Sequence, residues 1–394
     1  MKNLAEEISR LSEEIITKKE LGALFNSRKK LRIKYGVDVT SPFLHLGHAV
    51  NLWLMRAFQE RGHKVIFLIG DFTTTIGDPT GRTASRPVIA EKDIKKGAKE
   101  FIKQVSKILL TDKKVFEIRK NSEWFAKMKA KDLIGLMSLV TNSQLIRRDM
   151  FRKRIGGGGE IYEHEVIYPL LQGYDSVMVE ADLTIIGSDQ LFNEMMGRIL
   201  QEKFKKVPQT IITTKITPGI GGGAKQSKSS GNYIALEDSA REKFGKVMSI
   251  PDDLIIKYFE VYSDVPLSQI KEIEQGLQKN KFNPKDAKMK LAEAIVSKYH
   301  SKKETSDARK FFVETFQKRK LPKSLPTIKL RSGELFRNIL AIKGFALSNS
   351  EAARLIKAGA VEFDGVRLRD IHEKITKDGI LRVGKKRFVR IEIK

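Results

Sequence analysis

The sequence predicts an α/β protein with a doubly wound parallel sheet, followed by a small helical domain and an α+β module. First, the chain has 394 residues, which is more than one ordinary core needs and indicates several domains. Second, an apolar strand pattern, a helix pattern and another apolar strand pattern follow one another over residues 31–72. Third, residues 235–318 show helical periodicity only.

The composition limits the classes of function. Hydrophobic residues make up 41% and charged residues 31% of the chain, as in globular proteins. Cysteine is absent, which excludes disulfides, zinc ribbons, iron–sulfur clusters and thiol nucleophiles. The 74 Lys and Arg against 48 Asp and Glu give a formal net charge of +26. An excess of this size indicates a polyanionic partner, with nucleic acid as the first candidate.

A membrane surface is the alternative partner for a basic chain. No apolar run approaches the roughly 20 residues of a spanning helix. The N-terminal stretch also carries acidic residues where a signal peptide needs a basic and then an apolar segment. We therefore expect a cytoplasmic protein with no membrane partner.

The N-terminal part predicts a helix and then a βαβ unit. Apolar residues at spacings of three and four predict an amphipathic helix over the first 20 residues: Leu4, Ile8, Leu11, Ile15 and Ile16. Residues 31–39 predict a strand, 46–62 a helix and 64–72 a buried strand. This order favours a parallel sheet with a right-handed crossover. Residues 91–155 are predicted to be mainly helical.

The α/β pattern continues to about residue 215, and the predicted elements after it no longer alternate between strand and helix. Residues 181–190 predict a short buried strand that runs into a polar turn, and 191–203 predict the next helix. Residues 218–236 combine five glycines with clustered lysines, which predicts a mobile loop. After the helical stretch, residues 318–329 form a linker rich in Lys, Pro and Ser. Residues 331–394 predict the α+β module, with 15 Lys and Arg against 8 Asp and Glu.

The first candidate site is HLGH, His45 to His48, where a strand and turn lead into a helix. Backbone N–H groups and the helix dipole make a helix N-terminus attractive to phosphate. The alternative is a pair of capping or packing histidines. A metal site would need a third ligand, and the chain has no Cys and only four other histidines. We therefore predict no metal bound by the protein itself.

Two further groups of residues could carry chemistry. In KQSKS, Lys225 and Lys228 lie three residues apart on the glycine-rich loop, where they could close over a polyphosphate. The alternative is a solvated surface run. Asp38, Asp78 and Asp189 follow predicted strands, and ligands bind open α/β sheets at strand carboxyl ends. Carboxylates there suit ribose hydroxyls or an ammonium group.

These motifs together resemble one enzyme family. HLGH on the first crossover and KxSKS after the last α/β strand form the paired signature of the class I aminoacyl-tRNA synthetases. The stretch YPLLQGYDS has the Y-x3-Q-x2-D arrangement of tyrosyl-tRNA synthetases, and IIGSDQ has their G-x-D-Q turn. The chain thus resembles the tyrosyl-tRNA synthetases, and SNSEAARLIKAGAVEFDGVRLRD resembles an S4 RNA-binding domain.

The resemblance implies a division of the chain. A Rossmann-type catalytic domain would span residues 1–220, with a helical insertion around 120–165. The lysine-motif loop and a helical anticodon-binding domain would span 221–320, and the S4-like domain 331–394.

The resemblance also implies a role for each matching position. Asp175 would accept a hydrogen bond from the tyrosine hydroxyl, and Asp189 would bind ribose. Tyrosine binding is implied for Gly36, Asp78, Tyr168, Gln172, Asp175 and Gln190. ATP binding is implied for Asp38, His45, His48, Gly187, Asp189, Gln190 and Lys228. The implied catalytic set is Thr40, His45, His48, Lys225 and Lys228.

The implied reaction is the activation of L-tyrosine with ATP to tyrosyl-adenylate, followed by transfer to the 3′ end of tRNA(Tyr). ATP is a substrate, and Mg²⁺ is expected to accompany it, bound mainly by phosphate oxygens and water. A homodimer through residues 120–165 is also expected, partly because the resemblance implies it, since members of the family are dimers, and partly because the apolar string of this segment is too dense for a lone surface helix. The alternatives are a tryptophanyl-tRNA synthetase and a non-catalytic RNA-binding protein on a synthetase scaffold.

Three positions depart from the family pattern. Lys34 stands where many tyrosyl enzymes have a tyrosine that contacts the substrate hydroxyl. We expect Lys34 to lie at the pocket rim or to pair with a carboxylate. Its replacement by Met should then change tyrosine affinity by less than about tenfold. Val39 replaces a usual proline, and Gln226 replaces a common methionine or phenylalanine.

Overall fold

The computed structural model describes residues 4–39, 44–78, 90–146, 149–226, 231–317, 325–384 and 387–393. The chain divides into two compact units, Met1–Lys310 and Phe311–Lys394.

The first unit contains an α/β part and a helical part. Its strands are β1 (Ser12–Ile16), β2 (Arg32–Val37), β3 (Lys64–Ile69), β4 (Phe116–Lys120), β5 (Leu183–Gly187) and β6 (Thr210–Thr214). The helices of the α/β part are α1 (Leu4–Leu11), α2 (Lys18–Asn26), α3 (Leu46–Gln59), α4 (Thr73–Ile76), α5 (Glu91–Val105), α6 (Ser122–Phe125), α7 (Ala130–Met137), α8 (Asn142–Ile146), α9 (Asp149–Gly156), α10 (Glu163–Met178) and α11 (Leu191–Lys203). The helices of the helical part are α12 (Ala240–Met248), α13 (Ile255–Tyr262), α14 (Leu267–Gln278), α15 (Pro284–Ser297) and α16 (Lys302–Phe312).

The six strands form one sheet in the order β1-β6-β5-β2-β3-β4. Strands β2 to β6 pair in parallel, and β1 is antiparallel to β6 at one edge. The chain runs from β2 outward to β4, returns to the centre, and runs outward from β5 to β6. The predicted doubly wound parallel sheet is thereby confirmed. The order reverses between β2 and β5, where such sheets bind ligands beyond the strand carboxyl ends.

Two strands lie where the sequence predicted helix. Ile15 and Ile16, assigned to an amphipathic helix, lie in β1 and pair with Ile212 and Ile211 of β6. Strand β4 lies within a range predicted to be mainly helical and pairs with β3. Both are edge strands with partly exposed, charged sequences, SEEII and FEIRK. Their backbone state depends on the neighbouring strand, so the local pattern did not reveal it.

The N-terminal helix is tied to the helical part by one buried arginine. The Arg10 guanidinium donates to the carbonyl oxygens of Glu260, Val265, Phe259 and Ser263 at distances of 2.6 to 2.9 Å. These carbonyls lie at the end of α13, where helix carbonyls lack partners within the helix. Arg10 therefore caps α13 and joins the first helix of the chain to the predicted helical stretch.

The second unit is an α+β module. It contains β7 (Thr327–Leu330), α17 (Phe336–Ile342), α18 (Asn349–Lys357), β8 (Val361–Phe363), β9 (Val366–Arg367), β10 (Gly379–Val383) and β11 (Arg387–Ile393). Its sheet has the order β7-β11-β10-β8-β9, and its core includes Phe336, Ile356, Val361 and Leu381. Strand β7 lies in residues predicted to belong to the linker, and its parallel pairing with β11 explains the difference.

Within the described parts of both units, no helix has the length and apolar character needed to cross a bilayer.

Candidate active site

A cavity of about 360 Å³ lies at the point where the strand order reverses. It is lined by the strand ends of β2 and β5, the start of α3 and one face of α10. The predicted site residues that line it are Gly36, Asp38, His45, His48, Asp78, Tyr168, Gln172, Asp175, Gly187, Asp189, Gln190 and Lys225. Thr40 and Lys228 lie outside the described residues. A Cβ added to Gly36 would meet nothing within 4 Å, so this glycine borders open space.

A carboxylate at the end of β2 is held from two sides. The Tyr168 hydroxyl donates to Asp38 Oδ2 at 2.9 Å, and the Thr73 hydroxyl donates to Asp38 Oδ1 at 2.9 Å. Burial, together with the nearby carboxylates of Asp38 and Asp78, raises the pKa of Tyr168 well above its ordinary value. Tyr168 therefore keeps its proton at neutral pH and acts as a donor to Asp38.

Asp175 forms a buried acceptor on α10. Its Oδ1 accepts from Trp124 Nε1 at 3.0 Å, and its Oδ2 accepts from Asn121 Nδ2 at 3.3 Å. Burial raises the pKa of Asp175 to about 8, although the Lys34 ammonium and these two donors oppose the shift. Only 4% of Asp175 is exposed, so a ligand group that reaches it is removed from water.

A chain of hydrogen bonds connects the side chains along the cavity wall. Gln190 Nε2 donates to Asp78 Oδ2 at 2.8 Å. Asn193 Nδ2 donates to Gln190 Oε1 at 3.0 Å and to Gln172 Oε1 at 2.9 Å. Gln172 Nε2 donates to Glu194 Oε1 at 2.8 Å. The series of hydrogen bonds thus has a carboxylate at each end, Asp78 and Glu194, and three side-chain amides between them.

Lys34 lies behind this wall and does not line the cavity. Only 1% of it is exposed, and its Nζ is 2.9 Å from Glu194 Oε2. The expected pairing of Lys34 with a carboxylate is confirmed. The alternative position at the pocket rim is wrong, because the strand β2 points this side chain into the core between α10 and α11.

The two histidines of HLGH form the N-terminal cap of α3. His45 Nδ1 accepts from the Gly47 N–H at 3.1 Å, and His48 Nδ1 accepts from the His45 N–H at 3.3 Å. The ring centroids are 3.8 Å apart. A Cβ at Gly47 would lie 2.9 Å from the His45 ring, so a larger residue there would force the ring to shift. Capping therefore accounts for one nitrogen of each ring, and both residues still line the cavity.

The HLGH segment pairs with the end of the glycine-rich loop. The Leu46 N–H donates to the Ile234 carbonyl at 3.0 Å, and the Leu236 N–H donates to the Leu44 carbonyl at 2.9 Å. The fully buried Lys243 donates to the Ala235 carbonyl at 2.7 Å. Burial lowers the pKa of Lys243 to about 8. The HLGH segment is thus fixed against the residues that follow the glycine-rich loop.

Lys225 reaches the carboxyl end of β5 from the loop. Its Nζ lies 2.8 Å from Asp189 Oδ2, and the two side chains are 55% and 38% exposed. The next residue, Gln226, is buried and donates to the Tyr262 hydroxyl at 2.7 Å. The loop therefore has an exposed charged group beside a buried anchor.

Comparison with known proteins identifies the family. The model for class I tRNA synthetases (W and Y) matches residues 26–317. A tyrosine–tRNA ligase of Thermotoga maritima is 42% identical over 96% of this chain and 94% of that protein. A tyrosine–tRNA ligase of Francisella tularensis is 41% identical over 100% of this chain and 99% of that protein. The chain belongs to the tyrosyl branch of the class I aminoacyl-tRNA synthetases. The family predicted from the motifs is confirmed.

Solved tyrosyl-tRNA synthetases share the fold. A C-terminally truncated mitochondrial enzyme of Aspergillus nidulans has a TM-score of 0.64 and 21% identity, covering 79% of this chain and 94% of its own. The Archaeoglobus fulgidus enzyme complexed with L-tyrosine has a TM-score of 0.60 and 19% identity, covering 78% and 100%. At these identities the likeness supports the class I synthetase fold of the chain and nothing finer.

The sequence patterns did not indicate several residues that surround the cavity. Asn193 and Glu194 follow Gln190 by three and four residues, so they share a helical face with it, and this spacing was the available signal. Asn121 and Trp124 follow β4, and they were missed because that strand itself was missed. Among the described residues, no group of three or more His, Asp or Glu side chains is placed to hold a metal ion.

Proposed function

We propose that this chain activates L-tyrosine with ATP, forming tyrosyl-adenylate and pyrophosphate, and then transfers the tyrosyl group to the 3′ end of tRNA(Tyr). The observation that carries the proposal is the buried Asp175 acceptor at one end of a cavity whose other end is formed by the α3 N-terminus. A phenol hydroxyl would satisfy the first end, and a phosphate would satisfy the second.

In the proposed complex, tyrosine occupies the enclosed part of the cavity. Its hydroxyl meets Asp175, and Gly36 leaves room for the ring. The ammonium group is held by acceptors of the wall, Asp78, Gln172 and the oxygen of Tyr168. Gln190 lies near the carboxylate of the substrate.

ATP takes the opposite end of the cavity. Asp189 and Gly187 bind ribose, and Asp38 lies nearby on the floor. Thr40, His45 and His48 contact the phosphates. Lys225 and Lys228 stabilise the departing pyrophosphate. Lys225 leaves Asp189 for this role at little cost, because an ion pair this exposed contributes little.

The first step needs no general base. A carboxylate oxygen of tyrosine, already ionised at neutral pH, attacks the α-phosphorus. The bond from that phosphorus to the bridging oxygen breaks, and pyrophosphate leaves with the electron pair. The protein aligns the reactants and stabilises charge on the leaving group. Mg²⁺ is expected to enter with ATP, coordinated by phosphate oxygens and water.

In the second step, a hydroxyl of the tRNA 3′ end attacks the tyrosyl carbonyl and AMP leaves. We assign the contacts with tRNA to the helical part, which would bind the anticodon region, and to the second unit, which would act as an S4-like domain. The net charge of +26 supports a nucleic-acid partner. We also propose that the enzyme acts in the cytoplasm.

We also propose a homodimer that uses the insertion near residues 120–165. The apolar side chains of residues 133–140 fall into two groups, one packed inside the same chain and one exposed. Leu136 is buried, and Leu133, Leu139 and Val140 pack against the cores of the same chain. Ile134 and Met137 remain 63% and 36% exposed, and the nearby Ile155 is 57% exposed. These side chains would contact the second copy. A sedimentation mass near 44.7 kDa at micromolar concentration would contradict the dimer.

The decisive assay is amino-acid-dependent pyrophosphate exchange. We expect exchange with L-tyrosine and almost none with phenylalanine or tryptophan. Exchange with tryptophan instead would indicate the other branch of the family. The absence of exchange with every amino acid would favour a non-catalytic RNA-binding protein.

The role of the second unit is tested by removing most of it, residues 318–394. A form ending at Gln317 keeps the whole family match and avoids cutting β7. We expect nearly unchanged pyrophosphate exchange, a fall in tRNA charging and a weaker dependence of tRNA binding on salt. A lower melting temperature with an unchanged salt dependence would indicate that the unit only stabilises the rest.

A further inference from the structure

Lys34 is a buried cation that does not line the cavity. Its Nζ contacts Glu194 Oε2 at 2.9 Å, Ser176 Oγ at 2.7 Å and the Gln172 carbonyl at 3.5 Å. An ammonium group has three donors, and these contacts use all of them inside the protein. Lys34 therefore has no donor left for a substrate and must act through its neighbours.

The neighbour that transmits its effect is Glu194, which does line the cavity. Its Oε2 accepts from Lys34 and from Gln209 Nε2 at 2.8 Å, and its Oε1 accepts from Gln172 Nε2 at 2.8 Å. An ionised carboxylate only accepts. Gln172 must therefore turn its NH₂ group toward Glu194 and its oxygen the other way.

Asn193 contacts the same glutamine from the opposite side. It is fully buried, and its Nδ2 donates to the side-chain oxygens of Gln172 and Gln190. Gln190 in turn donates to Asp78 at 2.8 Å. Each glutamine thus has an acceptor on one side and a donor on the other, which permits one amide orientation. The side-chain oxygens keep a second lone pair, and both glutamines line the cavity.

We propose that Lys34 is a positioning residue of the amino-acid pocket: by pairing with Glu194 Oε2, it holds the carboxylate that fixes the Gln172 amide, so that the amide oxygen is available to the ammonium group of the substrate. The inference rests on the proposed function, because the ligand is the amino acid. It also replaces the expectation that Met at position 34 would be tolerated, since a buried carboxylate without its partner is strongly unfavourable.

Without Lys34, Glu194 Oε2 keeps only the Gln209 donor, so the carboxylate is held from fewer sides. A carboxylate that can turn no longer selects one orientation of Gln172. The Lys34 ammonium also lowers the pKa of Asp175, which supports a second influence of the same cation on the pocket. The main effect should nevertheless fall on ligands that carry an ammonium group.

The test uses K34M, E194Q and the double variant K34M/E194Q in the full-length protein. Calorimetry would measure binding of L-tyrosine and of 3-(4-hydroxyphenyl)propionate, which has the phenol and carboxylate but no ammonium group. We expect K34M to bind L-tyrosine about thirtyfold more weakly and to bind the propionate within about threefold of the unmodified chain. The KM for ATP should be unchanged.

The double variant keeps the test valid if K34M folds poorly, because it has no unpaired buried carboxylate. A glutamine at position 194 donates and accepts, so tyrosine affinity should stay low although the fold is restored. Recovery of tyrosine affinity in the double variant would overturn the proposal, because Lys34 would then only neutralise Glu194. Equal losses for both ligands in K34M, or losses below threefold, would also overturn it.

The unmodified chain separates this inference from the proposed function. If it exchanges pyrophosphate with L-tyrosine and the variants give a contrary result, only the role of Lys34 is wrong. If it shows no exchange with L-tyrosine, the proposed function fails.

Discussion

Around the end of the cavity proposed to bind the amino acid, polar side chains are buried and joined to one another, whereas Lys225 and Asp189, at the end proposed to bind ATP, are partly exposed. Lys34, Asn193 and Glu194 are at most 2% exposed, and each contacts at least one other side chain. Lys225 and Asp189 are 55% and 38% exposed and form a single ion pair.

This difference matches two different tasks. An amino acid must be distinguished from close relatives, which favours groups held in one orientation before binding. A polyphosphate must be surrounded and its products released, which favours charged groups on a segment that can move. Changes at the first end should therefore alter selectivity and affinity, while changes at the second should alter the rate.

The largest effect is expected at Asp175. D175A removes the proposed acceptor for the substrate hydroxyl and the acceptor of the buried Trp124 Nε1, whereas Asn121 Nδ2 keeps its bond to the Thr73 hydroxyl. We expect kcat/KM for tyrosine to fall about a thousandfold and the preference over phenylalanine to collapse. Pyrophosphate exchange with both amino acids measures this. D307A, which truncates an exposed aspartate on α16, is the control, and a comparable loss there would contradict the assignment.

The next effect tests the phosphate end. K225A removes a cation proposed to stabilise pyrophosphate, so kcat for exchange should fall about a hundredfold while KM for tyrosine stays within twofold. K271A changes an exposed lysine on α14 and should have no effect on either constant. An increase in KM for tyrosine as large as the fall in kcat would contradict the assignment of separate roles to the two ends of the cavity.

The stability of the buried end should depend on pH through Asp175. Its pKa is about 8 in the folded chain, above the value of 3.8 for the unfolded chain, so the folded state holds the proton more tightly. The stabilisation is complete below about pH 4 and is lost as the pH rises toward 8. Between pH 5 and 7, unfolding free energy should fall by about 1.4 kcal/mol per pH unit relative to D175N.

Denaturant titrations followed by tryptophan fluorescence would measure this slope, because Trp53 and Trp124 both lie in the first unit. Identical pH profiles for the unmodified chain and D175N would show that Asp175 is ionised in the folded protein. The strong acceptor would then be present before the substrate arrives.

The two regions also differ in how well the sequence predicted them. His45, His48 and Lys225 stand in motifs. Strands β3 and β5 have nearly continuous apolar patterns and β2 alternates, so all three strands were predicted. Glu194 and Asn193 lie in an ordinary amphipathic helix and gain their role only from neighbours distant in sequence. Strands β1, β4 and β7 were missed for a related reason, since each lies at a sheet edge and depends on its partner strand.

The smallest effect should come from the buried anchor of the loop. Gln226 donates to the Tyr262 and Thr217 hydroxyls, and its side-chain oxygen accepts from the Ile234 N–H. In Q226M these bonds are lost, but Tyr262 and Thr217 still bond to each other, which limits the damage.

We expect kcat for pyrophosphate exchange to fall about fivefold in Q226M, with KM for tyrosine within twofold, because the loop that carries Lys225 is less well held. Q278M on the exposed face of α14 is the matched control. If Q226M changes the KM for tyrosine more than kcat, the loop anchor is coupled to the amino-acid end, and the division of the cavity into a fixed end and a movable end is wrong.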